Sequence, residues 1–213
     1  MYTPINTNVA LLLNIINRKE DVQAYVYLTR ELPKIDVRTS REFQRKYRRY
    51  WALNAAMLSE DFLTAYFQLL EQSKRATVPV TVEDVSMNLL ETPINSTGKR
   101  ALHFSFASKL VHMINPRLPV YDSAVQKFYF LPKLPDGDPE DKLEVLLRSY
   151  QFLRKEQERI LREELLAPAI KGFRSHFAPD ESYTDEKIID TLIWKFVGFL
   201  SNGALRDGHL IYR

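Results

Sequence analysis

The residues best suited to chemistry lie in the segment GKRALHFSFASKLVHMINPRLPVYDSAV, which runs from Gly98 to Val125. Helical periodicity predicts a helix from about Lys99 to Ile114. That helix must end at Asn115, because a residue that precedes proline disfavours the helical conformation. The next helix begins at Asp122, whose carboxylate can accept the free backbone N–H groups of a helix N-terminus. An aspartate in this place is usually a cap and nothing more.

The preceding helix carries a polar stripe that gives Asp122 unusual surroundings. Ser105, Lys109 and His112 follow one another at the spacing i, i+4 and i+7, so they share one face of the helix. The other face is apolar, with Phe104, Phe106, Ala107, Leu110, Val111 and Ile114. The stripe is therefore either exposed to solvent or the wall of a cleft that faces Asp122.

A second candidate is the basic segment REFQRKYRRYW, residues 41–51, with five basic residues and one acid. Arg41, Arg45, Arg48 and Arg49 lie on one helical face, and aromatic residues lie on the opposite face. Such a face either binds the phosphates of a polyanion or is simply hydrated.

Several classes of site are excluded. The chain has no cysteine, so it can form no disulfide, thiolate zinc site or iron–sulfur cluster. Its four histidines do not occur at i, i+3 or i+4 from one another, and nucleotide-binding glycine motifs and the G-x-S-x-G motif are missing. We therefore expect no metal and no cofactor.

Length and composition indicate a globular protein. The 213 residues suit one domain or two tightly packed subdomains, and 45% are hydrophobic against 27% charged. The net charge of +3 hides an asymmetry: residues 1–135 contain 18 basic and 12 acidic residues, and residues 136–213 contain 12 and 15. This asymmetry is either chance or a surface for a polyanion. The longest apolar stretch, Val9–Ile16, is too short to span a bilayer, so we expect a cytoplasmic protein without membrane contact.

The remaining pattern predicts a mainly α fold of roughly seven to nine helices. One apolar face runs from Phe43 to Leu58, Ser59 begins a second helix, and Thr81 caps a short helix that ends at Leu90. The C-terminal helices cover residues 138–203. Within them, Pro168 should kink or restart a long helix, Thr184 should begin the last one, and Gly203 should end it. The tail from His209 to Arg213 is either a short strand or a loop.

The element PVYDSAV, preceded by an amphipathic helix and a short loop with proline, resembles the P-V-D-[ST]-H-V element of helix-hairpin-helix DNA glycosylases. FSFASKLVHMINPRLPVYDS is most similar to prokaryotic proteins of the 8-oxoguanine-glycosylase fold, which include antiviral enzymes that remove modified bases from phage DNA. The resemblance covers about residues 98–130. It implies one glycosylase-like domain over residues 1–213, with two helical subdomains around a cleft and the active element at about 98–130.

Two departures from that family bear on the chemistry. The family hairpin usually reads L-P-G-[VI]-G, whereas here the matching stretch holds only Gly98. Bifunctional members place a nucleophilic lysine at the start of the second hairpin helix, and counting back from the aspartate puts that position on Leu102 or His103. The resemblance therefore implies a monofunctional DNA N-glycosylase, in which water attacks the sugar.

Roles for individual residues follow from the same resemblance. Asp122 would stabilise the developing oxocarbenium ion. Lys109 would either neutralise or position Asp122, or serve as a nucleophile if the hairpin is rebuilt. The substrate would be a damaged or modified base, for instance a modified phage cytosine, flipped out of DNA by a monomeric enzyme. Residues expected to bind DNA or the base are Arg45, Arg48, Arg49, Lys99, Arg100, Ser105, His112 and Tyr121. The alternative is a non-enzymatic α-helical module that binds nucleic acid or serves as an adaptor.

Overall fold

The computed structural model describes residues 1–56, 58–93 and 100–212. This part of the chain forms eleven α-helices and one two-stranded sheet, which confirms the prediction of a mainly α protein. The helices are α1 (Thr3–Thr7), α2 (Val9–Ile15), α3 (Ala24–Glu31), α4 (Arg41–Tyr50), α5 (Glu60–Arg75), α6 (Val82–Leu90), α7 (Phe104–Ile114), α8 (Ser123–Phe128), α9 (Pro139–Arg162), α10 (Ala167–Phe177) and α11 (Asp185–Asn202). In the described residues, no helix is long and apolar enough to cross a membrane.

The helix count exceeds the predicted seven to nine because the N-terminal part of the chain, up to Glu31, is divided into short pieces. The helices α1 and α2 are separated only by Asn8, and a π-helical turn, Arg18–Gln23, leads into α3. Asn17 caps that turn, since its side chain accepts hydrogen bonds from the backbone N–H groups of Lys19 and Glu20.

Side-chain caps fix the starts of four later helices where the sequence predicted them. Ser59 and Thr184 each accept a backbone N–H three residues on, and Asp122 caps α8 with two such bonds. Thr81 forms a reciprocal capping box with Asp84. The prediction for Pro168 is also correct, because it lies in the first turn of α10, where its missing N–H costs nothing.

Two predicted helix boundaries are wrong. The apolar face from Phe43 to Leu58 is not one helix: α4 stops at Tyr50, Ala52 takes a left-handed backbone conformation with φ of 55°, and a 3-10 turn follows at Leu53–Ala56. The helix expected from Lys99 begins at Phe104, after the N-cap His103. The periodicity of the apolar residues continues across both boundaries, so it does not reveal where the backbone hydrogen bonds stop.

The C-terminal tail is a strand. After α11, β1 (Gly203–Arg206) and β2 (His209–Tyr212) pair antiparallel. Buried Asn8 binds this hairpin to the N-terminal helices, because its amide donates to the Gly208 carbonyl and its oxygen accepts the Leu210 N–H, at 2.7 and 2.8 Å.

The core is one continuous cluster with many aromatic side chains. Tyr25, Tyr47, Tyr66 and Tyr183 are fully buried, and the Tyr47 and Tyr66 hydroxyls are 2.9 Å apart. Glu71, only 2% exposed, accepts the Val37 N–H at 3.0 Å and pairs with Lys74 and Arg75. This bond attaches the loop before α4 to α5 and so orients the basic helix.

Candidate active site

The loop between α7 and α8 is locked to α7 by one buried hydroxyl. Ser108 donates to the Ser105 carbonyl at 2.9 Å and accepts the Tyr121 N–H at 2.9 Å. It is fully buried. This bond fixes the backbone of Tyr121 and therefore the position of Asp122, the next residue.

Asp122 has one carboxylate oxygen engaged in the fold. Its Oδ1 accepts the N–H groups of Ala124 and Val125, both at 2.9 Å, while Oδ2 has no hydrogen-bond partner among the described residues. The residue is partly buried and keeps some exposed surface. One oxygen therefore caps α8, and the other is available for chemistry.

Lys109, on α7, is only 9% exposed and is influenced by the charge of Asp122. Its Nζ donates to the Trp51 carbonyl at 3.1 Å. That carbonyl belongs to the end of α4, and it is accessible to Lys109 because the helix stops there. Burial of Lys109 rules out simple solvent exposure of the polar stripe at this position.

A second charged pair enters the site from α11. Lys187 Nζ lies 2.5 Å from Asp190 Oδ2, and Lys187 is 3% exposed. Its ammonium group lies 5.2, 5.4 and 4.8 Å from the ring centroids of Tyr25, Tyr50 and Trp51, distances at which aromatic faces attract a cation. Trp51 thus contacts both lysines, Lys109 through its carbonyl and Lys187 through its ring.

The electrostatics of Asp122 reflect these neighbours. Burial raises the pKa of the Asp122 carboxyl, and the Asp190 carboxylate raises it further. The two backbone N–H groups and the Lys109 ammonium oppose that rise. Asp122 is therefore an ionisable group held above its usual pKa by its surroundings, a property that is common at functional sites.

The two lysines differ in their response to burial. Burial lowers the pKa of Lys109, although the carboxylates of Asp122 and Asp190 oppose the shift. Burial also disfavours the ammonium form of Lys187, but the Asp190 carboxylate and the phenols of Tyr183 and Tyr25 outweigh it, so the pKa of Lys187 is raised. Lys187 is the fixed cation of the site, and Lys109 is the lysine that loses its proton more readily.

His112 is buried beneath this cluster and is 1% exposed. Its Nδ1 donates to the Leu118 carbonyl at 2.6 Å, so Nε2 is left to accept the Tyr25 hydroxyl at 2.9 Å. Burial lowers the pKa of the imidazole to about 4. The prediction that His112 binds a substrate stays a prediction, and both of its ring nitrogens already have protein partners.

The other predicted residues are divided between the site and the surface. Ser105 is half-buried, and the ring of Tyr121 packs edge-on against Phe104 with centroids 5.3 Å apart. Arg45 is exposed, Arg48 donates to Asn54 and lies 3.8 Å from Glu60, and Arg49 pairs with Glu20.

Two predicted phosphate ligands lie near the edge of the described chain. Exposed Arg100 pairs with Glu91 at 3.2 Å. Lys99, like Gly98, lies outside the described residues. The expected contribution of this stretch to DNA binding stays a prediction.

Sequence reasoning missed Ser108, although it lies within the candidate segment, and it missed the residues that come from distant elements, namely Tyr25, Lys187 and Asp190. One signal was visible for Lys187, because it occupies the third helical position of α11, where a capping box has an acid.

Comparisons of the chain with protein-family models, curated proteins and solved structures found no match.

Proposed function

We propose that this protein is a monofunctional DNA glycosylase that acts as a monomer in the cytoplasm and removes a damaged or modified base from a flipped nucleotide. The observation that carries the proposal is the state of Asp122, which is fixed as the cap of α8 and has a second oxygen without a partner among the described residues. A cap on the open surface of a binding module would not be influenced by a buried lysine and a second carboxylate, as Asp122 is by Lys109 and Asp190.

In this proposal the Asp122 carboxylate stabilises positive charge on the sugar as the base leaves. An anion placed where positive charge develops lowers the barrier without reorganisation of solvent. The same oxygen orients the attacking water or accepts its proton. The positive charge of Lys109 favours the ionised form of Asp122, on which both roles depend.

The buried Lys187–Asp190 pair acts as a positioning device. The Asp190 carboxylate favours the protonated form of Lys109, and the Lys187 ammonium group disfavours it. The rings of Tyr25, Tyr50 and Trp51 surround the Lys187 ammonium group, and its carboxylate partner is Asp190. The pair thus sets the balance of charge in the site without taking part in bond breaking.

Replacement of Asp122 by Asn tests the proposal. Asparagine still caps a helix, so folding and DNA affinity should be retained while base release falls roughly 100-fold or more. The measurement is abasic-site formation on DNAs that each carry one modified base, including modified cytosines. Near-normal release by the variant would exclude Asp122 as the catalytic group.

Borohydride added to the same reactions distinguishes water from lysine as the nucleophile. A lysine nucleophile leaves a Schiff base, which borohydride reduces to a stable crosslink. We expect no crosslink with the wild-type protein, and Lys109→Ala should lower the rate without changing the product. A crosslink that disappears in Lys109→Ala would establish a bifunctional enzyme instead.

If no base is released from any of these DNAs and the protein still binds DNA, the alternative of a nucleic-acid-binding module would replace the glycosylase proposal. An adaptor that uses α9 as its docking face would bind no DNA at all. The stretch 140–166, most of which forms α9, carries 7 acidic and 6 basic residues, a balance that suits a hydrated surface.

A further inference from the structure

The C-terminal end of α8, opposite Asp122, forms a turn that contains an unusual residue. The Leu131 N–H donates to the Gln126 carbonyl at 3.0 Å, which is the long bond of a Schellman motif. In that motif the residue before the donor takes the left-handed conformation, and here it is Phe130, with φ of 52°. Glycine is the usual residue at this position, because a Cβ atom is strained there.

Phe130 is also 86% exposed, more than any other large hydrophobic residue of the described chain. The left-handed backbone of Phe130 lowers the stability of the fold, and a ring that stays exposed gains little from folding in return. Glycine would remove the strain and lose little buried area. A residue that strains the backbone and packs against little of the core is best explained by a ligand.

A groove of about 580 Å³ lies between the segment that follows α8 and the side of α9. Three aromatic side chains, Tyr129, Phe130 and Phe152, line it, and the rings of Tyr129 and Phe152 meet edge-to-face at 5.6 Å. Lys133 and Arg148 also line the groove, and Arg148 pairs with Glu144. No acidic side chain is among the described lining residues.

We infer that this groove is a second nucleic-acid subsite, in which Phe130 stacks on an unpaired base while Lys133 and Arg148 contact the neighbouring phosphates. Aromatic rings stack on any nucleobase, and cations beside them track the backbone of a single strand. Aromatic walls with two cations beside them suit a base joined to phosphate, and Arg148 would exchange its exposed pairing with Glu144 for the phosphate. The inference rests on the proposed function only in taking DNA as the ligand.

The subsite is close enough to Asp122 to hold part of the same strand. The short helix α8 spans ~9 Å, and one strand of DNA advances roughly 3.4 Å per nucleotide. A base held at Phe130 would therefore be a few nucleotides from the base that is released. Opening of the duplex beside the flipped nucleotide would supply the unpaired base.

The test uses a single-stranded 12-mer that contains the fluorescent base 2-aminopurine, and the fully paired duplex of the same sequence. We expect Phe130→Gly to weaken single-strand binding roughly 10-fold or more and to reduce the quenching of 2-aminopurine. Affinity for this duplex, which has no modified base to flip, should stay within about twofold, since its bases remain paired and do not reach the ring. Because the same change relieves backbone strain, Tm should rise by about 2–4 °C.

Two control variants separate the loss of the Phe130 ring from the relief of backbone strain and from the loss of any exposed ring. Ala178→Gly relieves left-handed strain at the end of α10, where φ is 45°, and removes no aromatic ring. Trp194→Ala removes a half-exposed ring from α11. Neither should change single-strand binding.

Three results would overturn the subsite: unchanged single-strand binding by Phe130→Gly, equal losses with single and double strands, or the same loss in Trp194→Ala. Failure of the proposed function gives a different result. If no base is released but Phe130→Gly selectively weakens single-strand binding, the glycosylase proposal fails and the subsite stands. If Asp122-dependent release occurs and single-strand binding is unchanged, the function stands and the subsite fails.

Discussion

At the scale of single residues, Asp122 lies among charges whose effects on its pKa are opposed. The Asp190 carboxylate raises that pKa, and the Lys109 ammonium lowers it. Because the proposed chemistry needs Asp122 ionised, activity should be lost as the pH falls through its raised pKa. The acid side of the pH–rate profile therefore reports directly on these two neighbours.

Removal of Lys109 and removal of Asp190 should shift the acid side of the pH–rate profile, its acid limb, in opposite directions. Lys109→Met takes away a positive charge, so the pKa of Asp122 rises and the limb moves to higher pH. Asp190→Asn takes away a negative charge and leaves Lys187 unneutralised, so the limb moves to lower pH. Asp185→Asn, on the same helix but paired with Arg174 outside the site, should leave the limb in place. The measurement is the pH dependence of kcat/KM for base release.

A shift of both variants in the same direction would show that they act through the fold rather than through charge. If Asp185→Asn shifted the limb as far as Asp190→Asn does, the assignment of Asp190 to the site would be wrong.

At this scale, the site residues that the sequence predicted are those that lie near one another along the chain. Asp122 and Lys109 were identified because they lie close together in the sequence, on adjoining elements. Lys187 and Asp190 come much later in the chain, and no local pattern predicts that α11 packs beside α8. Only the odd lysine in the first turn of α11 indicated that its side chain serves something other than its own helix.

At the scale of elements, the helix starts with a capping side chain were predictable, whereas the uncapped start of α7 and the end of α4 were not. A capping side chain indicates where a helix begins, as at Thr81, Ser59 and Thr184. The end of α4 depends on Ala52, a residue with no preference for the left-handed conformation that it adopts. The Trp51 carbonyl exposed there binds Lys109, so a tertiary bond accompanies a break that local propensity does not favour.

The two glycines near the end of α11 should respond oppositely to substitution. A Cβ atom on Gly203 would lie 2.4 Å from Phe199 Cε1 and 2.8 Å from the Ile211 carbonyl oxygen, too close for either. Gly203→Ala should therefore cost about 1–3 kcal/mol of unfolding free energy. Gly198 has open space around it inside the helix, so Gly198→Ala should add about 0.5–1 kcal/mol.

Urea denaturation of both variants checks this pair. Gly203 has a negative φ of −127°, so the predicted loss comes from crowding and not from backbone strain. A Gly203→Ala protein as stable as the wild type would mean that the hairpin does not pack against α11 as described.

At the scale of the whole molecule, DNA affinity should depend on which surface carries the basic residues. Reversal of Arg45, Arg48 and Arg49 to Glu should weaken binding to all sequences and flatten its salt dependence, by roughly one unit of log–log slope per lost phosphate contact. Arg154, Lys155 and Arg162 on α9 supply a control, because their reversal changes the net charge by the same amount.

The readout is the affinity for one duplex over a series of salt concentrations. The α4 reversal should change the slope and the α9 reversal should change it much less. Equal effects would mean that only net charge matters and that no particular face binds DNA.

The bonds of Asn8 have a consequence for protein synthesis. Its amide requires Gly208 and Leu210, partners 200 and 202 positions later in the chain. A ribosome that adds about 5–20 residues per second needs roughly 10–40 s to make that stretch. During this time the N-terminal helices lack the strand against which they close. The final packing of α1 and α2 must therefore wait until the hairpin has been made, and the surface that the hairpin covers stays open in the nascent chain until then.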